Sequence, residues 1–127
     1  MDLSPNGNEI LFGTFDNESE TSLLQSFNLT GEGEKNIIYR GQKGDVIDIA
    51  KWSFDGKGVL FSVSNERSGS GSSIWHIDKN GGSPQELWKS ENPNSGLSIN
   101  PAGGQIAFST FSQELECWMM SNYRRGN

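Results

Sequence analysis

His76 is the only histidine and Cys117 the only cysteine in the chain. A nucleophile needs a base held against it, and a metal site needs several donors at ligand spacing. No H-x-x-H and no G-x-S-x-G pattern occurs to supply either. His76 stands between Trp75 and Ile77 in an alternating stretch and reads as a packing or surface residue. Cys117, in "LECWMM", reads as a small buried hydrophobe. "SNERSGSGSSI" (64–74) is rich in Gly and Ser but lacks the Lys, the spacing and the helix of a phosphate loop, so it reads as a hairpin loop. "DKNGG" (78–82) faintly echoes a calcium loop without its alternating carboxylates or the closing Glu, and reads as a β-turn. Asp16, Glu18, Glu20, Glu32 and Glu34 could in principle supply a carboxylate pair for acid–base chemistry, yet they fall in segments that read as solvated loops. Trp52, Trp75, Trp88 and Trp118 could wall a ligand cage, but their recurrence at strand positions favours packing between sheets. No catalytic, cofactor-binding or metal-binding residue is assigned, and the chain is read as not an enzyme.

The bulk numbers narrow the class. Net charge is −6 and the ten Lys and Arg are scattered, adjacent only at Arg124-Arg125. A nucleic-acid face needs a basic stripe, so nucleic acid is not an expected partner. No run approaches the roughly 20 apolar residues of a membrane-spanning helix. "MDLSPNGNE" lacks the basic start and apolar run of a signal peptide. One cysteine excludes an internal disulfide framework and leaves the compartment open. Asn17-Glu18-Ser19 and Asn28-Leu29-Thr30 match the glycosylation acceptor pattern, which has meaning only in a eukaryotic secretory setting. Sixteen Gly together with seven Phe, four Trp and two Tyr suit short strands joined by tight turns.

One phrase occurs three times: "LSPNGNEILF" (3–12), "WSFDGKGVLF" (52–61) and "INPAGGQIAF" (99–108). Gly7, Gly56 and Gly103 align, as do Phe12, Phe61 and Phe108, at intervals of 49 and 47 residues. Each copy puts an apolar residue (Leu3, Trp52, Ile99) four positions before the Gly. Asn-Gly and Asp-Gly favour tight turns because Gly adopts φ > 0 without steric cost. The apolar triplets that follow, Ile10-Leu11-Phe12, Val59-Leu60-Phe61 and Ile106-Ala107-Phe108, are too short for helices and read as buried strands. A second phrase follows the first: "LLQSFNLTGEG" (23–33) matches "SIWHIDKNGG" (73–82), and "LECWMMSNY" (115–123) is its last copy. A further strand follows at "KNIIY" (35–39) and "QELW" (85–88), with no copy after 123. Repeats of about 40 to 50 residues with several short strands and no helix are a propeller signature.

These residues resemble the TolB-like, WD-repeat-like β-propeller repeat: a Ser-Pro-Asp-Gly turn, a strand ending in Phe, a polar loop, an apolar strand, then Gly-Gly and Pro. The segment 46–89 follows the pattern nearly throughout, including Gly81-Gly82 and Pro84. The first copy has Gly31-Glu32-Gly33 at the double Gly, and the third has Asn-Pro-Ala-Gly at the turn. The resemblance implies an all-β fold: a partial β-propeller of two to three blades of antiparallel strands, the C-terminal part of a longer ring of about six blades. Its repeat units run approximately 1–40, 46–89 and 96–123 within a single segment, and Met1-Asp2 begins inside a repeat. The implied function is a non-catalytic module that binds or senses a protein, peptide or other ligand within a larger protein. The alternative is the substrate-gating propeller of a prolyl-oligopeptidase-like or tricorn-like serine peptidase. No cofactor is implied. The expected partners are a protein, a peptide or the remaining blades of the same propeller, with oligomers or aggregates if the segment stands alone.

Overall fold

The computed structural model describes residues 1–30, 33–65, 71–92, 94–100, 102–111 and 115–121. The described residues form three antiparallel sheets and no helix. The first holds β1 (Asp2–Leu3), β2 (Glu9–Asp16), β3 (Thr21–Asn28) and β4 (Lys35–Arg40). The second holds β5 (Asp45–Trp52), β6 (Gly58–Asn65), β7 (Ser72–Asp78) and β8 (Gln85–Ser90). The third holds β9 (Asn94–Ile99), β10 (Gln105–Phe111) and β11 (Leu115–Ser121). Every sheet is a meander in which each strand pairs with its sequence neighbour.

The repeated phrase is the hairpin between the first two strands of each sheet, and it keeps one register. Leu3 pairs with Ile10, Trp52 with Val59 and Ile99 with Ile106. Local hydrogen bonding fixes the turn. In the first copy the N–H of Gly7 donates to the Ser4 carbonyl at 2.9 Å and the N–H of Ser4 to the Glu9 carbonyl at 2.8 Å. The Ser4 hydroxyl donates to Asn6 Oδ1 at 2.7 Å and accepts from the Glu9 N–H at 3.0 Å. In the second copy the Ser53 hydroxyl donates to Asp55 Oδ1 at 2.7 Å and accepts from the Gly58 N–H at 3.1 Å. Asn100 holds the Ser position in the third copy, and its Oδ1 accepts from the Ala102 N–H at 2.9 Å. Ser, Asn and Asp side chains that bond their own backbone two residues on are turn formers for this reason. The glycine then takes positive φ: +76° at Gly7, +71° at Gly56 and +95° at Gly103.

Successive turns also touch. A Cβ on Gly56 would meet Pro5 Cδ at 3.4 Å, and one on Gly103 would meet the Phe54 ring at 2.7 Å. Pro5 and Phe54 hold the same position in their copies, so each turn seats its second residue on the glycine of the next. Gly7 has open space at the same place.

Two apolar clusters hold the sheets together. Leu11, Leu24 and Ile38 of the first sheet meet Trp52, Val59, Phe61, Val63 and Ile77 of the second. Leu60 and Ile74 of the second meet Leu97, Ile106 and Phe108 of the third. Side chains alternate across a strand, so β6 sends Val59, Phe61 and Val63 to one neighbour and Leu60 to the other. Val59, Leu60 and Phe61 are all fully buried.

Two stability tests follow. Gly7→Ala meets only backbone strain and is expected to cost about 1 kcal/mol. Gly103→Ala adds a clash with the Phe54 ring and is expected to cost more, as read by urea unfolding. Phe61→Ala is expected to cost about 3–5 kcal/mol; a loss below that of Gly7→Ala would rule out Phe61 as a core residue.

Candidate functional site

Innermost strands β1, β5 and β9 come together beside the repeated turns. There Asp2 Oδ2 accepts from the Trp52 backbone N–H at 2.9 Å, and Trp52 Nε1 donates to the Asp2 carbonyl at 3.3 Å. Trp52 is thereby pinned and buried. Around it lies a cleft of about 500 Å³ to which all three sheets contribute, lined by Asp2, Pro5, Lys51, Phe54, Leu97 and Ile99 among others. Phe54 is partly exposed on its wall. One acid, one amine and several apolar side chains line this cleft.

A second cleft, of about 680 Å³, lies between the first two sheets at the opposite end of the strands, with Tyr39, Asp45, Trp75, Glu86 and Lys89 in its lining. Trp75 Nε1 donates to Ser73 Oγ at 2.7 Å, which holds the indole in place. Burial raises the pKa of the Tyr39 phenol, and the Asp45 carboxylate adds to the shift, so Tyr39 stays neutral and is no nucleophile at ordinary pH.

Trp75 and Trp118 hold equivalent places, and Trp88 holds the place of Tyr39. Tyr39 of β4 packs against Phe61 with ring centroids 5.0 Å apart and the planes tilted by 36°, and Phe61 pairs across the ladder with Trp75. Trp88 of β8 packs against Phe108 with ring centroids 4.8 Å apart and the planes tilted by 54°, and Phe108 pairs with Trp118. Trp88 and Trp118 lie 5.8 Å apart. Each junction between sheets thus carries one aromatic from an outer strand against a Phe and a Trp of the next sheet.

The other candidates are not brought together. His76 lies on β7 against Gly58. Cys117 is not the buried hydrophobe expected from its sequence setting but is exposed on β11 opposite Ser109, because no sheet among the described residues covers that face. "DKNGG" is a turn: the Gly81 N–H donates to the Asp78 carbonyl at 2.9 Å and the Asn80 N–H to Asp78 Oδ1 at 2.9 Å. Positions 66–70 of the Gly/Ser-rich stretch, Glu32 and Arg124-Arg125 lie outside the described residues. Asp16 is not a freely solvated loop residue. It closes β2, where it accepts from Ser19 Oγ at 2.8 Å and pairs with Arg40 at 3.1 Å. The described residues contain no group of three or more His, Cys, Asp or Glu able to hold a metal. Among the described residues, no helix is long and apolar enough to cross a membrane. Sequence reasoning missed Lys51, Phe54, Leu97 and Ile99 as cleft residues. The one available signal was Phe54, an aromatic where the turn usually carries Pro.

No family model and no curated protein matches the sequence. Solved structures do. A TolB-type protein from Agrobacterium tumefaciens superposes at a TM-score of 0.77 and 17% identity over 96% of this chain and 44% of its own. TolB from Acinetobacter baumannii gives 0.71 and 21% over 99% of this chain and 30% of its own. The chain folds as TolB-like β-propeller blades. The β-propeller domain of the Trilobed protease from Pyrococcus furiosus, described as having an open velcro topology, gives 0.70 and 17% over 97% of this chain and 38% of its own. This blade segment spans less than half the length of each of these chains.

The ion pair at the end of β2 predicts an acid dependence. Ser19, Arg40 and the Glu18 N–H stabilise the Asp16 carboxylate and lower its pKa. A lowered folded-state pKa gives stability that is present above the unfolded value of about 3.9 and is lost as pH falls through the folded value. Urea midpoints recorded downward from pH 5 are therefore expected to fall more steeply in the native chain than in Asp16→Asn.

Proposed function

We propose that this segment is a non-catalytic binding module of a larger β-propeller, with repeat units at approximately 1–40, 46–89 and 96–123 acting as blades. The bound partner is a protein or an extended peptide, held at the turn-bearing rim. The observation that carries this reading is the cleft around Trp52, built by all three sheets where the innermost strands meet. Phe54 offers an apolar wall at its edge, and Asp2 and Lys51 offer one charge of each sign. Such a groove suits a backbone with alternating apolar and polar side chains. Its chemistry is recognition: opposite charges and an aromatic anchor, without a nucleophile beside a base.

A second reading makes the segment part of the propeller that screens access to a serine peptidase. It is favoured by the likeness to the Trilobed protease domain and to an acylaminoacyl peptidase from Pyrococcus horikoshii, which matches at a TM-score of 0.58 and 19% identity over 82% of this chain.

A randomised peptide display selected on the protein tests the first reading. Selected peptides are expected to lose most of their affinity for Phe54→Ala and for Lys51→Glu, both judged folded by circular dichroism. Peptides that bind these variants as well as the native chain would overturn the assignment of the rim cleft. Hydrolysis of peptide substrates by the full-length protein, lost on removal of a downstream serine, would favour the second reading.

A further inference from the structure

The two outward faces of the three-sheet array are not alike. On the first sheet, the register places Ile10, Phe12 and Phe27 on the face turned away from the second sheet. Leu3 pairs with Ile10 on this face and is 55% exposed, and Ile37 pairs with Gln25 and is 49% exposed. Positions 10 and 12 correspond to Val59 and Phe61 in the second sheet and to Ile106 and Phe108 in the third. Those pairs are buried against the preceding sheet.

On the third sheet, the outward face carries Ala107, Ser109, Cys117 and Met119, which pair with one another across β10 and β11. Ala107 holds the position of Leu11 and Leu60. Cys117, opposite Ser109, holds the position of Leu24, opposite Gly13, and of Ile74, opposite Ser62. Leu11, Leu24, Leu60 and Ile74 are buried against the following sheet. One end of the array thus presents a face of the kind that is covered twice inside the molecule. The other end presents a face of the kind that does the covering.

We infer that a second copy of this chain associates head to tail, the Ala107–Met119 face of one copy covering the Ile10–Phe12 face of the other. The inference rests on reading the sheets as blades, not on the rim cleft. A head-to-tail contact forms a closed ring when the rotation closes. Two copies supply six sheets, inside the roughly four to eight that close a propeller. The turns fit the same scheme. Pro5 sits on Gly56 and Phe54 on Gly103, while Gly7 offers the same seat uncovered. Association between separate copies depends on concentration.

Sedimentation across a concentration series tests this on the 14.0 kDa chain. The native chain is expected to double its mass as concentration rises, and Cys117 is expected to react more slowly with a maleimide in the dimer than after dilution. Phe12→Glu and the more exposed Leu3→Glu spoil one face, and Met119→Glu spoils the other; each variant alone is expected to stay monomeric. An equal mixture of Phe12→Glu and Met119→Glu is expected to recover a dimer, because one sound face remains on each partner. A native chain that stays monomeric at every concentration would overturn the inference and leave the faces to further blades of a longer polypeptide. A dimer that survives Met119→Glu, or a mixture that fails to recover, would overturn head-to-tail pairing in favour of a contact through like faces. None of these outcomes depends on whether the rim cleft binds peptide.

Discussion

Strand β6 has no solvent side. Its successive residues Val59, Leu60 and Phe61 are fully buried although they point alternately in opposite directions. A strand with apolar side chains on both faces is stable only inside a stack, because burying one Phe or Leu is worth about 1.5–3 kcal/mol and leaving it wet forfeits that. The second sheet therefore requires a sheet on each side, and the first and third exist as folded units largely because they meet that need. Cooperativity in this chain is a property of neighbouring sheets, as in other repeat architectures.

What keeps the stack in alignment is set at the turns. All three first hairpins share one register, and a one-residue slip would exchange the faces of every following strand. Hydroxyl or amide side chains at Ser4, Ser53 and Asn100 and the positive-φ glycines hold the turns to that register without help from the rest of the fold. The contacts of Pro5 with Gly56 and of Phe54 with Gly103 then tie one turn to the next. Local geometry and packing between sheets point to the same arrangement, which is the consistency expected of a sequence that specifies one fold.

The legible part of the architecture was the part written locally. Turn chemistry, the apolar triplets and their spacing identify the hairpins, and the recurrence of Trp75, Trp88 and Trp118 at strand positions anticipates the aromatic junctions. The innermost strands β5 and β9 escape such a reading. In β5 the register shifts between Ile47 and Ile49, which breaks the period of two, and Asp45, Asp48 and Lys51 dilute its apolar character. In β9, Gly96 and a second shift opposite Ser109 and Thr110 have the same effect. Asp16 reads as a loop acid because its partner Arg40 lies two strands away. The rim cleft is illegible for a related reason: Asp2, Trp52 and Ile99 are about fifty residues apart and meet only when the sheets stack.

Comparison among the three copies separates what packs from what faces solvent. Position 12 and its equivalents are Phe, Phe and Phe, and position 10 and its equivalents are Ile, Val and Ile. At the two junctions between sheets, Val59 and Phe61 fill the place that Ile106 and Phe108 fill in the next, and close-packed interiors tolerate little change in that volume. One strand earlier, position 2 and its equivalents are Asp, Lys and Ser, and the second turn residue is Pro, Phe and Pro. Of these, Asp2, Lys51, Ser98, Pro5 and Phe54 line the cleft around Trp52. Packing does not dictate a charge there, so a carboxylate, an ammonium and a hydroxyl can stand at one structural position in successive sheets. The uniform positions build the scaffold, and the varied ones give the rim an asymmetric pattern of charge, which a set of identical sheets could not present to a partner.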